Sequence, residues 1–314
     1  MFLRNELNAT CVRLAFGRFT ALIDRCRSFV SGPLFLIPAL LCALTLRADQ
    51  KPYFVTYDHE LEDVGDLEIS LSPIVGLPKS GNAFLGSTTE LEYGVRNWWT
   101  TSFYLDGQST RHDSTLFTGF RWENRLRPFR GDHWINPVLY IEYEHLSEAD
   151  KTLKEVVGFG PEEDNAQPNS QTRREPDHAI ETKLILSSTH RGWNVAENFT
   201  AEKNLGHEPW EFGYAWGVSR PLSLAASPRP CNLCREKFHL GVEVFGGLGN
   251  WQEFGPARAS HYAAPVVSWA LRSGMTLQLS PAFGLTANSH RQLWRFNVAY
   301  EFPNFDRRLQ RLFH

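Results

Sequence analysis

The stretch Trp294-Arg-Phe-Asn-Val-Ala-Tyr-Glu-Phe302 puts Trp294, Phe296, Val298, Tyr300 and Phe302 at every second position, with Arg295, Asn297 and Glu301 between them. Side chains alternate across a β-strand, so one face of this segment is aromatic and aliphatic and the other is polar and ionisable. Working back towards Leu67, the same pattern of roughly ten alternating residues followed by a turn recurs about twelve times, which is the signature of a transmembrane β-barrel. The chain is therefore expected to be all-β, an antiparallel barrel of about twelve strands over residues 67–302.

Several strands are clear from their faces. Leu116, Phe120, Trp122 and Leu126 oppose Arg121, Glu123 and Arg125, and Leu139, Ile141 and Tyr143 oppose Tyr140, Glu142 and Glu144. Leu91 and Tyr93 oppose Glu90 and Glu92, Ile180 and Leu184 oppose Glu181 and Lys183, and Leu240, Val242 and Val244 oppose His239 and Glu243. Phe212, Tyr214, Trp216 and Val218 lie over the small row Gly213, Ala215, Gly217 and Ser219. In the segment 193–204 Glu197 shares the apolar face with Trp193, Val195 and Phe199, which calls for a bulge or a neutralised carboxyl. The segment 261–271 is ambiguous.

Alternation alone does not say whether the apolar face meets lipid or a water-excluded core. Other features turn it outward. No uninterrupted apolar run reaches the roughly 18 residues of a spanning helix. The longest, Phe29–Leu46, is broken by Gly32, Pro33 and Pro38, follows a series of arginines and precedes Leu46-Arg47-Ala48, which reads as a secretory signal peptide over 1–48. A lipidated Cys42 would need a small residue before it, and Leu41 stands there. Residues 49–66 are then expected to be a periplasmic segment, and 303–314 a basic tail in which Phe305, Leu309 and Leu312 sit at helical spacing among Arg307, Arg308 and Arg311.

Residues 1–48 hold six Arg and two acidic side chains, so the remainder carries 26 Lys and Arg against 33 Asp and Glu. That balance speaks against nucleic acid as a partner. The expected partners are membrane lipid, a small solute and the outer-membrane assembly machinery, which recognises an aromatic-ended last strand such as Tyr300-Glu-Phe302, and the expected location is the bacterial outer membrane. Short turns near 94–97, 190–192 and 273–274 oppose a long polar loop over 147–177, matching the rule of short periplasmic turns and longer extracellular loops. Trp98, Trp99, Trp134 and Trp193 fall at one rim and Trp210 and Trp294 at the other, as interfacial girdles require. The connection 221–236 is long on the short-turn side.

The lumen-facing candidates are Glu68, Glu90, Glu92, Arg121, Glu123, Arg125, Glu142, Glu144, Glu181, Lys183, Glu202, Glu243 and Arg295. They would either form a selective constriction or pair across a narrow interior and close it. Cys231 and Cys234 are expected to form a local disulfide, because the surrounding prolines leave no helix N-terminus for a redox thiol and Arg235 stands where haem attachment needs His. His239 alone is too few ligands for zinc, so no metal and no cofactor is expected. A lipid hydrolase would need a Ser near the lipid boundary with a His and an orienting partner; Ser109, His112 and Ser114 near one strand end are the best candidates, with Ser114 first.

The motifs Gly65-Asp-Leu-Glu-Ile-Ser-Leu71, Glu90-Leu-Glu-Tyr-Gly-Val95 and Gly241-Val-Glu-Val-Phe-Gly-Gly247 resemble the bacterial outer-membrane barrels grouped as "MetA-pathway of phenol degradation", over about residues 60–302. The resemblance implies a porin-like barrel that passes hydrophobic or aromatic compounds, and it transfers no residue role. The function expected is thus an outer-membrane channel or transporter for small solutes. The alternatives are a closed structural or interaction barrel and a lipid hydrolase.

Overall fold

The computed structural model describes residues 52–152, 154–160, 167–173, 176–206, 208–229 and 231–312. The signal-peptide reading of 1–48 lies outside them. Twelve strands follow one another: β1 Leu67–Leu77, β2 Phe84–Arg96, β3 Trp99–Thr110, β4 Thr115–Leu126, β5 Asn136–Ser147, β6 Pro176–His190, β7 Trp193–Asn204, β8 Glu211–Pro221, β9 Phe238–Asn250, β10 His261–Ala270, β11 Met275–Gly284 and β12 Gln292–Phe302. Each pairs antiparallel with its sequence neighbours, and β1 also pairs with β12, Leu67 opposite Phe302 and Leu77 opposite Gln292, so the sheet closes into a barrel with no free edge. Closure satisfies every strand through a neighbour, which a sheet in lipid requires.

Faces follow the alternation. Leu71, Phe103, Trp122, Leu139, Phe199, Trp216, Val242, Leu279 and Phe296 point outward and are exposed, whereas Ser70, Tyr104, Arg121, Glu123, Tyr140, Thr200, Glu243 and Arg295 point inward and are buried. A water-soluble protein does not expose an apolar belt of this extent. Strands of 10 to 15 residues are long enough to cross a bilayer at the usual barrel tilt, for which about 9–11 residues suffice. Glu197 keeps its place on the outer face, and β7 pairs continuously through it with Leu186 and Trp216, so no bulge accommodates it. The bulges lie elsewhere, at Gly94/Arg96, Asp106/Gly107 and Phe212/Gly213. In β10, Tyr262, Ala264, Val266 and Ser268 face inward, which resolves the ambiguous segment.

Beyond β12 the chain forms an eight-residue helix, α1, Phe305–Leu312. Asn304 donates its backbone N–H to Asp66 Oδ1 (2.7 Å) and Asp306 donates to the Gly65 carbonyl (3.3 Å), which holds the start of α1 beside the start of β1. In the long connection 222–237, Cys231 and Cys234 are disulfide-bonded, and the Asn232 carbonyl accepts the Trp269 indole N–H (2.7 Å).

Residues 49–66 were expected outside the barrel, and here the structure differs. From Pro52 to Asp63 the chain runs inside it, with Tyr53, Val55, Thr56, His59 and Glu62 buried against inward-facing strand residues. We call this segment the strap. The polar run after β5 also departs from a purely external loop, because Lys154, Glu155 and Val156 reach inward from the opposite end.

The outward face is tested at Leu279, which sits mid-strand between Val267 and Phe296. Leu279→Arg is expected to cost about 2–4 kcal/mol of folding stability in phospholipid bilayers, measured by guanidinium titration. An unchanged midpoint would mean that this position does not meet hydrocarbon.

Candidate functional site

Among the described residues the strands point twelve carboxylates into the lumen, Glu68, Glu90, Glu92, Asp106, Glu123, Glu142, Glu144, Glu181, Glu202, Glu211, Glu243 and Glu301, against four cationic side chains, Arg121, Arg125, Lys183 and Arg295. All the lumen candidates read from alternation face inward. Asp106, Glu211 and Glu301 join them. The distribution is uneven: β1–β7 carry the acid-rich wall, while β8–β11 present mostly small and apolar residues.

On the ionic wall each cation serves two carboxylates. Arg121 meets Asp106 (2.9 Å) and Glu142 (3.0 Å), Arg125 meets Glu92 and Glu123 (2.8 Å to the latter), and Lys183 meets Glu155 of the inward loop (2.6 Å) and Glu181 (2.7 Å). Charges removed from water at this depth are tolerated only when paired and hydrogen-bonded. Tyrosines complete the pairing. Tyr104 donates to Glu123 (2.5 Å) and Glu90 (3.1 Å), and the Arg121 guanidinium lies 4.2 Å over its ring.

The strap is bound to both walls. Glu243, fully buried on the sparsely charged wall, accepts the backbone N–H groups of Phe54 (3.0 Å), Val55 (2.8 Å) and Thr56 (2.8 Å). Three backbone donors converging on one carboxylate neutralise it as a cationic side chain would. Asn198 clamps the next residue from both sides, taking the Tyr57 N–H (2.6 Å) and donating to its carbonyl (2.8 Å). The Tyr57 ring then crosses to the ionic wall, where its hydroxyl donates to Glu123 (3.0 Å) and Lys183 lies 4.9 Å over its face. Small inward residues make room for the strap: a Cβ on Gly217 would stand 2.5 Å from the Tyr53 ring.

From the end opposite the start of β1, Val156 enters an apolar cluster with Val55, Ile74, Phe84, Ala215, Phe245 and Tyr262. Gly158 hydrogen-bonds to Phe212 (3.1 Å) and Gly249 (2.9 Å), so the loop crosses from β5 to the β8–β9 wall. Loop and strap meet in this cluster. Between the strap and β1–β4, β11 and β12 remains a cavity of about 160 Å³, lined by residues that include Glu68, Ile74, Glu90, Tyr104, Lys154 and Arg295.

The serines considered for hydrolysis accept hydrogen bonds from neighbouring residues. Ser114 Oγ takes a hydrogen bond from Asn169 (3.1 Å), and Ser109 takes one from Thr115 (2.8 Å). Among the described residues three carboxylate clusters, one of them Glu62, Asp66 and Glu301 beside the start of β1, approach closely enough to share a cation, but each is a short acidic cluster whose members also have protein partners.

Sequence reasoning missed the strap. The signal that could have revealed it was on β8 and β9, where a lone Glu243 stands in a wall whose inward row is Gly213, Ala215 and Gly217.

Comparison with solved structures agrees with this geometry. An outer membrane channel from Pseudomonas putida F1 superposes with a TM-score of 0.52 at 10% identity, covering 78% of this chain and 98% of that one. The chain has the fold of an outer-membrane β-barrel. The KdgM porin gives 0.45 at 8% identity, covering 74% and 99%, and the NanC porin 0.43 at 10%, covering 74% and 98%. Neither a family model nor a curated protein matches the sequence, so the likeness in short motifs to the phenol-degradation group extends only to the fold.

Near the β6–β7 turn, the His59 N–H and ring Nδ1 both meet Ser187 Oγ (2.8 and 2.5 Å). The hydroxyl accepts from the backbone and donates to Nδ1, which suits a neutral ring with its proton on Nε2, towards Glu60 (3.5 Å) and Asp132 (3.9 Å). Burial, with help from Arg127, pushes the His59 pKa below its ordinary value, and Asp132 opposes the shift. A docked histidine with a lowered pKa binds fewer protons than a free one, so its contribution to docking is full above pH of about 6.5 and declines as the pH falls below it. Burial raises the Glu60 pKa, and its effect has the opposite sign, favouring docking at acid pH. Labelling of a Thr56→Cys reporter, taken relative to its rate in the unfolded protein at the same pH, should therefore accelerate between pH 7.5 and 5.5 more in the protein with His59 than in a His59→Gln background. Equal acceleration in both would remove His59 from strap docking.

Proposed function

We propose that the protein is an outer-membrane channel for small solutes whose resting state is closed by its own strap. The observation that carries this reading is the kind of contact made by residues 52–63. A packed structural core would be expected to seat such a segment on apolar side chains. This strap seats Val55 in the apolar cluster but is also held by polar clamps at Glu243, Asn198, Ser187 and Thr100, and behind it lie a cavity and an ionic wall of the kind that lines aqueous barrels. Polar contacts exchange with water at modest net cost, so a segment so held can leave and return while the barrel stays intact. The P. putida protein of the same fold is described as an outer membrane channel, which supports the reading.

Passage in this mechanism is diffusion through the lumen after the strap leaves Glu243 and Asn198. The inward loop at 154–158 narrows the extracellular half. Specificity for hydrophobic or aromatic compounds, which the family resemblance suggests, is a finer proposal that the apolar cluster around Phe245 and Tyr262 favours. The same occupied lumen favours a second reading, a permanently closed structural barrel.

Planar bilayers separate the two. Glu243→Gln removes the charge that gathers three strap N–H groups, and Gly217→Val removes the space for the Tyr53 ring, whose hydroxyl donates to Asn194 (2.8 Å). Each is expected to raise open probability by about tenfold or more, the equivalent of losing at least 1.4 kcal/mol of docking. If neither the native protein nor either variant conducts ions or swells liposomes with any small solute, the barrel is a closed structural element and the channel reading is wrong.

A further inference from the structure

We infer that the outer face of β6–β8 is a docking surface, within the membrane, for a second copy of this chain. Glu197 and Trp216 of each copy would meet Trp216 and Glu197 of the other. This concerns the lipid side of the barrel and stands apart from the channel reading. Glu197 lies on the outer face of β7 between Val195 and Phe199, four residues from Trp193 at the strand's start. Counted from the girdle position of Trp193, the usual rise and tilt of a barrel strand put it roughly 10 Å inside an apolar band about 25 Å tall. A glutamate is too short to return its carboxyl to headgroup water from that depth. Among the described residues it makes no hydrogen bond and no ion pair. Acyl chains offer no donor, so a polar group placed there calls for a protein partner.

Trp216 supplies the complementary group. It is the register partner of Glu197 on β8 and is exposed on the same face. Other outward indoles on the strands have acceptors within the chain: Trp99 donates to Asn124 (3.0 Å), Trp122 to Thr101 (3.0 Å), Trp269 to the Asn232 carbonyl (2.7 Å) and Trp294 to Gln292 (3.3 Å). The Trp216 ring packs against Tyr214 (centroids 5.2 Å apart), and its N–H has no acceptor among the described residues. Rim indoles can turn to water, but Trp216 stands mid-strand. A donor without an acceptor and an acceptor without a donor thus sit side by side on adjacent strands.

That arrangement is self-complementary, which is what a twofold interface requires. Residues opposite each other in the ladder lie about 5 Å apart and within a few ångströms of the same depth. A twofold axis along the membrane normal, passing between β7 and β8, brings each Glu197 to the other copy's Trp216, so one contact satisfies both groups twice. Leu184, Val195, Phe199 and Val218, all exposed, surround the pair and exchange lipid for protein in the contact. Apolar packing alone gives little preference for protein over lipid, and hydrogen bonds across the interface supply it. The pair therefore selects this sector from the rest of the apolar belt. A foreign partner would have to bring both a donor and an acceptor at this depth, whereas a second copy has both by symmetry.

The test uses the full-length protein with two readouts. Val218, the register partner of Val195, lies beside the proposed axis, and Leu91 on β2 lies across the ring from β8. In phospholipid bilayers, oxidation of a Val218→Cys variant is expected to give a disulfide-linked dimer on non-reducing gels, and oxidation of Leu91→Cys to leave monomer. Sedimentation equilibrium in density-matched detergent should show a monomer–dimer equilibrium. Its dissociation constant should rise roughly threefold to tenfold in Glu197→Leu, which restores the apolar alternation, and in Trp216→Phe, with the double variant no weaker than either. A protein that is monomeric at every concentration, that cross-links equally at both positions, or whose dimer is indifferent to both substitutions overturns the inference.

Discussion

The structure depends on one constraint: a closed sheet that offers its apolar side to lipid must turn its ionisable side inward, where water is scarce. Strands rich in Glu acquire by that inversion a lumen in which carboxylates outnumber cations. Leaving such groups without partners would cost several kcal/mol each. The chain meets the demand in three ways. Arg121, Arg125 and Lys183 each bridge two carboxylates, Tyr57 and Tyr104 donate to Glu123, and the backbone of the strap donates to Glu243. The strap is thus part of the solution to the electrostatics of the barrel as well as an obstruction within it.

The two walls differ in how firmly they hold. On the ionic wall, pairs such as Asp106–Arg121–Glu142 lie between adjacent strands and keep the β3–β5 register fixed. On the β8–β9 wall Glu243 takes three strap N–H groups beside the charge of Arg295 on β12, and departure of the strap in the proposed opening leaves the carboxylate in a newly wetted lumen rather than in a dry one. Water replaces the backbone donors, so the barrel survives the exchange. This is the physical sense in which a plug can be both well bonded and removable.

Legibility in the sequence followed the range of the interactions. Alternation is local, and it located all twelve strands, including β7 at Trp193–Asn204 residue for residue. The inward set followed from the same parity. The bulge at Asp106/Gly107 inserts Thr118 into β4, so Phe117 rather than Leu116 continues the outer face of Phe120 and Trp122, and the alternation read from the sequence carried Leu116 across it unbroken. The strap was not legible because its ligands lie far away in the chain: Val55 meets a carboxylate 188 positions distant, and Tyr57 an amide 141 positions distant. Tyr53-Phe-Val-Thr-Tyr57 makes no ladder, so no periodicity marks it, and a short segment after an export signal reads as external by default.

The small inward residues of β8 carry the remaining argument. In a barrel filled only by its own side chains, inward positions across from an ionic wall would bear bulk to close the gap. Gly213 and Gly217 do the reverse, and a Cβ on the former would stand 2.2 Å from the Val156 carbonyl as one on the latter would from the Tyr53 ring at 2.5 Å. The missing volume is matched to two segments that enter from opposite ends, the loop above and the strap below. On the proposed channel reading, such a wall leaves a passage when the two segments withdraw. A barrel closed for good would reach the same packing with a few larger side chains on β8 and no strap at all.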